Sequence, residues 1–152
     1  MTVPLVYLAG TITQDPKHFR WREQVADALA LDEIGTLNPT RGQKPSDWRS
    51  DGLDSTQSTP YDDGGFVTRD LRDIDRCDAV LLSFAEAPDR QSIGTWFEFG
   101  YAVKAGKPVI VVSTLPEVVQ HPFIYKQADR IVATFGMAQE YLQFLFQPGA
   151  GE

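Results

Sequence analysis

Apolar positions along the chain gather in five short runs, at residues 3–9, 35–38, 78–84, 108–113 and 130–134. Most of these runs are rich in β-branched residues and lack polar alternation, the character of strands buried on both faces of a parallel sheet. Between them the period changes. Residues 16–31, 66–76, 95–105 and 137–146 carry apolar side chains at helical spacing and predict four helices. Strands alternating with helices predict an α/β fold, a doubly wound sheet of five parallel strands of the flavodoxin-like or Rossmann-like kind. No repeat, low-complexity tract or linker divides residues 1–152, so one domain is expected.

Residues 39–65 break this economy. The segment is rich in Pro, Gly, Ser, Asp and Gln and is longer than a compact domain normally needs for plain connection. It reads either as a surface excursion or as a functional loop. Trp48 and Tyr61 favour the second reading, because large aromatic rings offer faces to a planar ligand.

Composition narrows the class of partner. Hydrophobic residues make up 42% of the chain, enough for a core and too many for disorder. Against 21 acidic side chains stand 14 basic ones, scattered rather than clustered, for a net charge of −7. That balance argues against a surface built to neutralise nucleic acid or an anionic membrane. The single cysteine, Cys77, allows neither a disulfide framework nor a thiolate cluster. Residues 1–4 lack the features of a secretory signal, and no apolar run approaches the roughly 18 residues that span a bilayer. A soluble, cytoplasmic protein is expected.

In an open α/β sheet, ligands sit beyond the carboxyl ends of the strands, which here directs attention to residues 9–11, 39–43, 85–94 and 114–121. The last two frame the run of residues 92–102, Ser-Ile-Gly-Thr-Trp-Phe-Glu-Phe-Gly-Tyr-Ala. Glu98 stands in it among Trp96, Phe97, Phe99 and Tyr101. Desolvation there would raise its pKa while a nearby helix N-terminus would keep it ionised, opposed pressures that suit a nucleophile. Thr95-x-x-Glu98 is equally a capping box, in which Glu98 only satisfies backbone donors; spacing alone leaves the two readings level.

Asp70 tips the balance. In the helix over residues 66–76, Val67, Leu71 and Ile74 form the buried stripe and Asp70 lies at its margin, while Arg69, Arg72 and Arg76 point outward. Asp73 and Asp75 read as solvated helix-face residues. Tyr7, near the end of the first strand, can keep its ring in the core and turn its hydroxyl to a carboxylate. Two carboxylates at one site, one nucleophilic and one proton-donating, are the minimum machinery for cleaving a glycosidic bond through a covalent intermediate.

These pieces together resemble the nucleoside 2-deoxyribosyltransferase family. Val6-Tyr7-Leu8-Ala9-Gly10 is similar to the family's opening strand, whose tyrosine bonds the nucleophile. Pro39-Thr40-Arg41-Gly42-Gln43 is similar to a segment whose glutamine reads the nucleobase, and Asp70-Leu71 with Ile74 and Asp78 to the helix bearing the aspartate that handles the base's proton. The run from Gly94 to Ala102, followed by Gly106-Lys107-Pro108, resembles the segment carrying the nucleophilic glutamate. Two positions depart from the pattern. Ser92 replaces an aspartate that binds the sugar hydroxyl, and His121 is the nearest counterpart of an asparagine contributed by a neighbouring subunit. A serine at the first position is similar to a sister branch, the 2'-deoxynucleoside 5'-monophosphate N-glycosidases, and Arg90 is placed to assist a phosphate.

The resemblance implies that Glu98 attacks C1' of a 2'-deoxyribonucleoside while Asp70 protonates the departing purine or pyrimidine, and that a second base or water then takes the sugar. Tyr7, Glu98 and Asp70 would form the catalytic set, and Gly10, Gln43, Trp48, Ser92, Gly94 and His121 would bind substrate. Neither metal nor organic cofactor is implied; His18 and His121 are too few and too separated for a metal site. The aromatic-rich segment around Glu98 and residues 141–146 carry more apolar surface than one thin sheet covers. That surplus, like the resemblance, points to a homo-oligomer whose sites are completed by a neighbouring subunit. Alternatives are the monophosphate N-glycosidase and a non-catalytic nucleotide-sensing module in which Glu98 is only a cap.

Overall fold

The computed structural model of the chain describes residues 2–50, 52–53, 65–85 and 91–149. Five strands form one sheet: β1 (Leu5–Gly10), β2 (Gly35–Leu37), β3 (Ala79–Ser83), β4 (Val109–Val112) and β5 (Arg130–Val132). Its order is β2-β1-β3-β4-β5 and every neighbouring pair runs parallel. This is the flavodoxin-like order, and it reverses direction between β1 and β3, where such folds bind ligands. The apolar runs therefore become the five strands at nearly the expected bounds.

Alternation along each strand sorts the core into two layers. Val6, Leu8, Ala79, Leu81, Ile110 and Val112 face α1 (Lys17–Ala30) and α6 (Phe135–Leu145), whose Trp21, Val25, Leu29, Ala138 and Leu142 complete that layer. Tyr7, Ala9, Val80, Leu82, Val109 and Val111 face α2 (Gly65–Arg76) and α3 (Ile93–Lys104) through Ile74, Phe99 and Ala102. Parity on β1 thus puts Tyr7 on the same side as the helices that carry Asp70 and Glu98.

Two four-residue helices, α4 (Pro116–Val119) and α5 (Pro122–Tyr125), and a 3₁₀ turn at Pro45–Asp47 add to the expected elements. All three have Pro in the first helical turn, where its fixed φ favours the helix and no donor is lost. Each is too short to leave a periodic signature.

At Gly10 the sheet leaves no room for a side chain. A Cβ placed there would sit 2.7 Å from the Ser83 carbonyl oxygen of β3 and 3.1 Å from Trp21 Cζ2. Backbone in the middle of a sheet cannot yield. Gly10→Ala is expected to lower folding stability by about 1–3 kcal/mol, read as a fall in denaturant midpoint; an unchanged midpoint would mean that β1 and β3 separate more easily than their pairing implies.

Candidate active site

The carboxyl end of β1, the first two turns of α2 and the start of α3 enclose a cleft of about 370 Å3. Gly10, Asp70, Ser92, Gly94 and Glu98 line it, and so does Trp48 from the long loop. Glu98 rises from the second turn of α3, and the Tyr7 hydroxyl donates a hydrogen bond to its Oε2. Three residues far apart in sequence thus converge: Tyr7 from β1, Asp70 from α2 and Glu98 from α3.

The cap of α3 rules out the capping-box reading of Glu98. Ser92 is the N-cap, and its side chain accepts from the Thr95 amide at 3.3 Å. Thr95 lies inside the helix, so Glu98 is one full turn too late to close a capping box. It is also beyond the first turn, where the helix dipole acts most strongly. The helix start therefore does not keep Glu98 ionised; the hydrogen bond from the Tyr7 hydroxyl favours its charged form, against the larger effect of burial. The aromatic neighbours in sequence also diverge in space. Phe99 is buried and Trp96 packs on Phe84 and Phe99, while Phe97 is 60% exposed and the Tyr101 hydroxyl donates to Asp75 at 2.8 Å.

Burial dominates the electrostatics. It pushes the Glu98 carboxyl up to about 8, with the Tyr7 hydrogen bond pulling down and the Asp70 charge pushing further up. Burial also pushes Asp70 up to about 7, opposed by Arg69 and reinforced by Asp73. The Tyr7 phenol is raised well above its ordinary value by burial and then by Glu98 and Asp70, so it remains a donor at neutral pH. Two carboxyls with raised values in one cleft hold one proton between them near neutrality. Asp70 Oδ1 is buried without a hydrogen-bond partner among the described residues, the condition of a group awaiting a ligand.

Helix α2 differs from expectation in three places. Val67 is 41% exposed rather than part of the buried stripe. Arg69 does not point outward; it is half-buried, and Nη2 donates to the Pro39 carbonyl while Nε stands 3.8 Å from Asp70 Oδ1. Asp73 is buried rather than solvated, with Arg41 Nη1 at 2.7 Å from Oδ2 and Arg76 Nε at 3.3 Å from Oδ1. A buried carboxylate needs such partners, and they tie the start of the long loop to α2. Asp75 is exposed, as expected.

Trp48 is only 2% exposed, so its ring does not lie open for stacking. It packs edge-on against Phe66, and its indole N–H donates to Gln43 Oε1 at 3.2 Å. Gln43 itself does not line the cleft. Ser92 and Gly94 lie on that wall, with Thr95, whose buried Oγ1 has no hydrogen-bond partner among the described residues. In sequence Thr95 reads only as a candidate cap, and nothing there marks it as a cleft residue. His121 is not brought to Glu98 in its own chain. It caps α5, accepting from the Phe123 amide, and lines a separate groove of about 610 Å3 with Trp96 and Phe123. Tyr61 and Arg90 lie outside the described residues. Among the described residues no group of three His, Cys, Asp or Glu side chains is arranged to hold a metal, and no helix is long and apolar enough to cross a membrane.

Residues 3–115 match the family model described as nucleoside 2-deoxyribosyltransferase like. That span includes both carboxylates, Tyr7 and the whole cleft wall. The chain belongs to this family. Among solved structures it is similar to the 2-deoxyribosyltransferase of Bacillus psychrosaccharolyticus, with 19% identity and a TM-score of 0.65 over 90% of this chain and 91% of that one. It is also similar to the 2-desoxiribosyltransferase of Leishmania mexicana, with 17% identity and a TM-score of 0.67 over 94% and 99%. A CMP N-glycosidase of Clostridium botulinum aligns with 16% identity and a TM-score of 0.53 over 93% and 99%. At these identities the likeness is one of fold. A search by sequence among curated proteins finds no match. As a member of the family, this protein carries the Tyr7–Glu98 contact and the buried Asp70 at the switch point of a deoxyribosyltransferase-like fold.

Proposed function

We propose that this protein is a nucleoside 2-deoxyribosyltransferase that exchanges the base of 2'-deoxyribonucleosides through a deoxyribosyl ester on Glu98. The observation that carries the reading is the Tyr7 hydroxyl bonded to Glu98 in a cleft that also holds the buried Asp70. In the form of the pair whose shared proton sits on Asp70, ionised Glu98 attacks C1' as the bond to the base breaks through an oxocarbenium-like transition state, and Asp70 gives that proton to the leaving base. The Tyr7 hydrogen bond aims Glu98 and favours its charged form. A second base enters, loses a proton to Asp70 and attacks C1', releasing Glu98 with net retention. Gln43 and Trp48 act as a unit at the base end. Gly10, Ser92 and Gly94 border the sugar.

The apolar side chains left exposed on α3 and α6, Ile93 (89%), Phe97 (60%) and Phe144 (70%), support self-association. In such a homo-oligomer His121 would reach a neighbour's site. Its partners would then be small molecules and copies of itself.

Raised values on both carboxyls make activity a property of the singly protonated pair. The kcat/KM profile is expected to be bell-shaped with its maximum between about pH 7 and 8. Activity that stays flat down to about pH 5 would contradict the shared proton.

One observation favours hydrolysis of 5'-monophosphates as a second reading: Ser92 stands at the N-terminus of α3 on the cleft wall, a place where an anion is stabilised. Incubation with deoxyinosine plus adenine, and separately with deoxynucleoside monophosphates, separates the readings by chromatography of the products. Exchange supports the transferase, water-only cleavage of monophosphates supports the N-glycosidase, and ligand-induced stabilisation without turnover supports a sensing module.

A further inference from the structure

Arg22 is the largest of the fully buried side chains among the described residues, and none of the steps above uses it. It lies within the buried stripe of α1, one turn from His18 and followed by Val25 and Leu29. Its guanidinium extends to the carboxyl end of β1. There Nε donates to the Leu8 carbonyl at 3.3 Å and Nη2 to the Gly10 carbonyl at 2.8 Å, while Nη1 donates to His18 at 2.6 Å and Thr11 at 3.5 Å. The Trp21 ring lies 4.6 Å from Cζ. No carboxylate stands within ion-pair distance of it among the described residues. A positive charge fully removed from water and met by carbonyl dipoles alone is costly to keep. Neutral donors can satisfy carbonyls, so the charge itself calls for a reason.

We propose that Arg22 is a positioning residue of the candidate active site: its guanidinium, clamped to the carbonyls that end β1, fixes the Gly10–Thr11 wall of the cleft and sets a buried positive charge beside it. This rests on the reading of Glu98 and Asp70 as the working pair. Burial pulls the guanidinium down to about 10, which leaves it charged near neutrality, and the groups acting on it are Tyr7, Glu98 and Asp70. Glu98 is faced by Tyr7 from β1, Asp70 from α2 and Arg22 from α1. Asp70 is faced by Arg69 and Asp73 on its own helix, by Arg41 from the loop after β2 and by Arg22. The field of Arg22 lowers both carboxyls together. Its loss therefore moves both limbs of the pH profile the same way, toward alkali.

The test measures kcat/KM against pH for wild type, Arg22→Gln and Arg22→Lys, with the carboxyl titration of Glu98 followed by 13C NMR in the same full-length proteins. In Arg22→Gln both limbs are expected to move toward alkali, with a severalfold loss of kcat/KM at about pH 6 and a severalfold gain at about pH 9. Arg22→Lys keeps the charge and loses the fork, so its limbs stay in place while KM rises. A purely structural arginine predicts an Arg22→Gln profile scaled down without displacement, and that result overturns the proposal. If Arg22→Gln does not fold, displaced limbs or an unchanged KM in Arg22→Lys overturn it. If wild type neither exchanges nor cleaves, the functional reading fails separately; the Glu98 titration still decides, an unchanged midpoint in Arg22→Gln counting against Arg22 and a raised one in its favour.

Discussion

Glu98→Gln is expected to lower base exchange by on the order of 10⁴-fold or more, while the protein stays folded. The amide keeps the shape of the side chain and an oxygen to accept from Tyr7, but it has no charge with which to attack C1'. The loss should fall on kcat rather than on binding, since the bond to the sugar forms only as the reaction proceeds. Stability moves the opposite way. Because burial raises the Glu98 carboxyl to about 8, folding favours its protonated form. The associated stability is full below the ordinary carboxyl range and is lost as pH rises through about 8. Glutamine does not titrate, so the variant should melt above wild type at alkaline pH. A variant that keeps near-normal exchange would remove Glu98 from the chemistry.

Asp70→Asn is the second large effect. A general acid contributes about 10²–10⁴-fold, so kcat should fall within that range while KM changes little. The loss should shrink for donors whose base departs without needing a proton, because protonation is then no longer part of the barrier. Asp70 is 8% exposed with a carboxyl raised to about 7. Its contribution to folding is thus lost as pH rises through about 7, and the asparagine variant should gain stability above that pH. Unchanged kinetics across donors would assign the proton to another group.

Much of this site is legible in sequence because strand parity and strand ends are. Tyr7 follows from its place near the end of an apolar run, and Glu98 and Asp70 from carboxylates set in helices after strand-like runs. What sequence hides depends on contacts distant along the chain. Asp73 reads as solvated because its partner Arg41 lies 32 positions earlier, across the long loop. The cap of α3 is ambiguous because Ser92 and Thr95 are both good caps three residues apart, and only backbone geometry chooses Ser92. Trp48 reads as an exposed stacking face because neither Phe66 nor Gln43 can be seen beside it. Arg22 had a visible signal, a charge inside the apolar stripe formed with Val25 and Leu29, yet its meaning lies in carbonyls of β1 that sequence does not bring near.

The functional reading stands on the covalent step at Glu98. Wild-type protein mixed with a 2'-deoxyribonucleoside, quenched in acid and digested, is measured by peptide mass spectrometry. The peptide bearing Glu98 is expected to gain the mass of one deoxyribosyl group, with fragmentation assigning it to that side chain and with no gain in Glu98→Gln. Turnover with no modified peptide at any quench time, or with the sugar on another residue, would contradict the assignment.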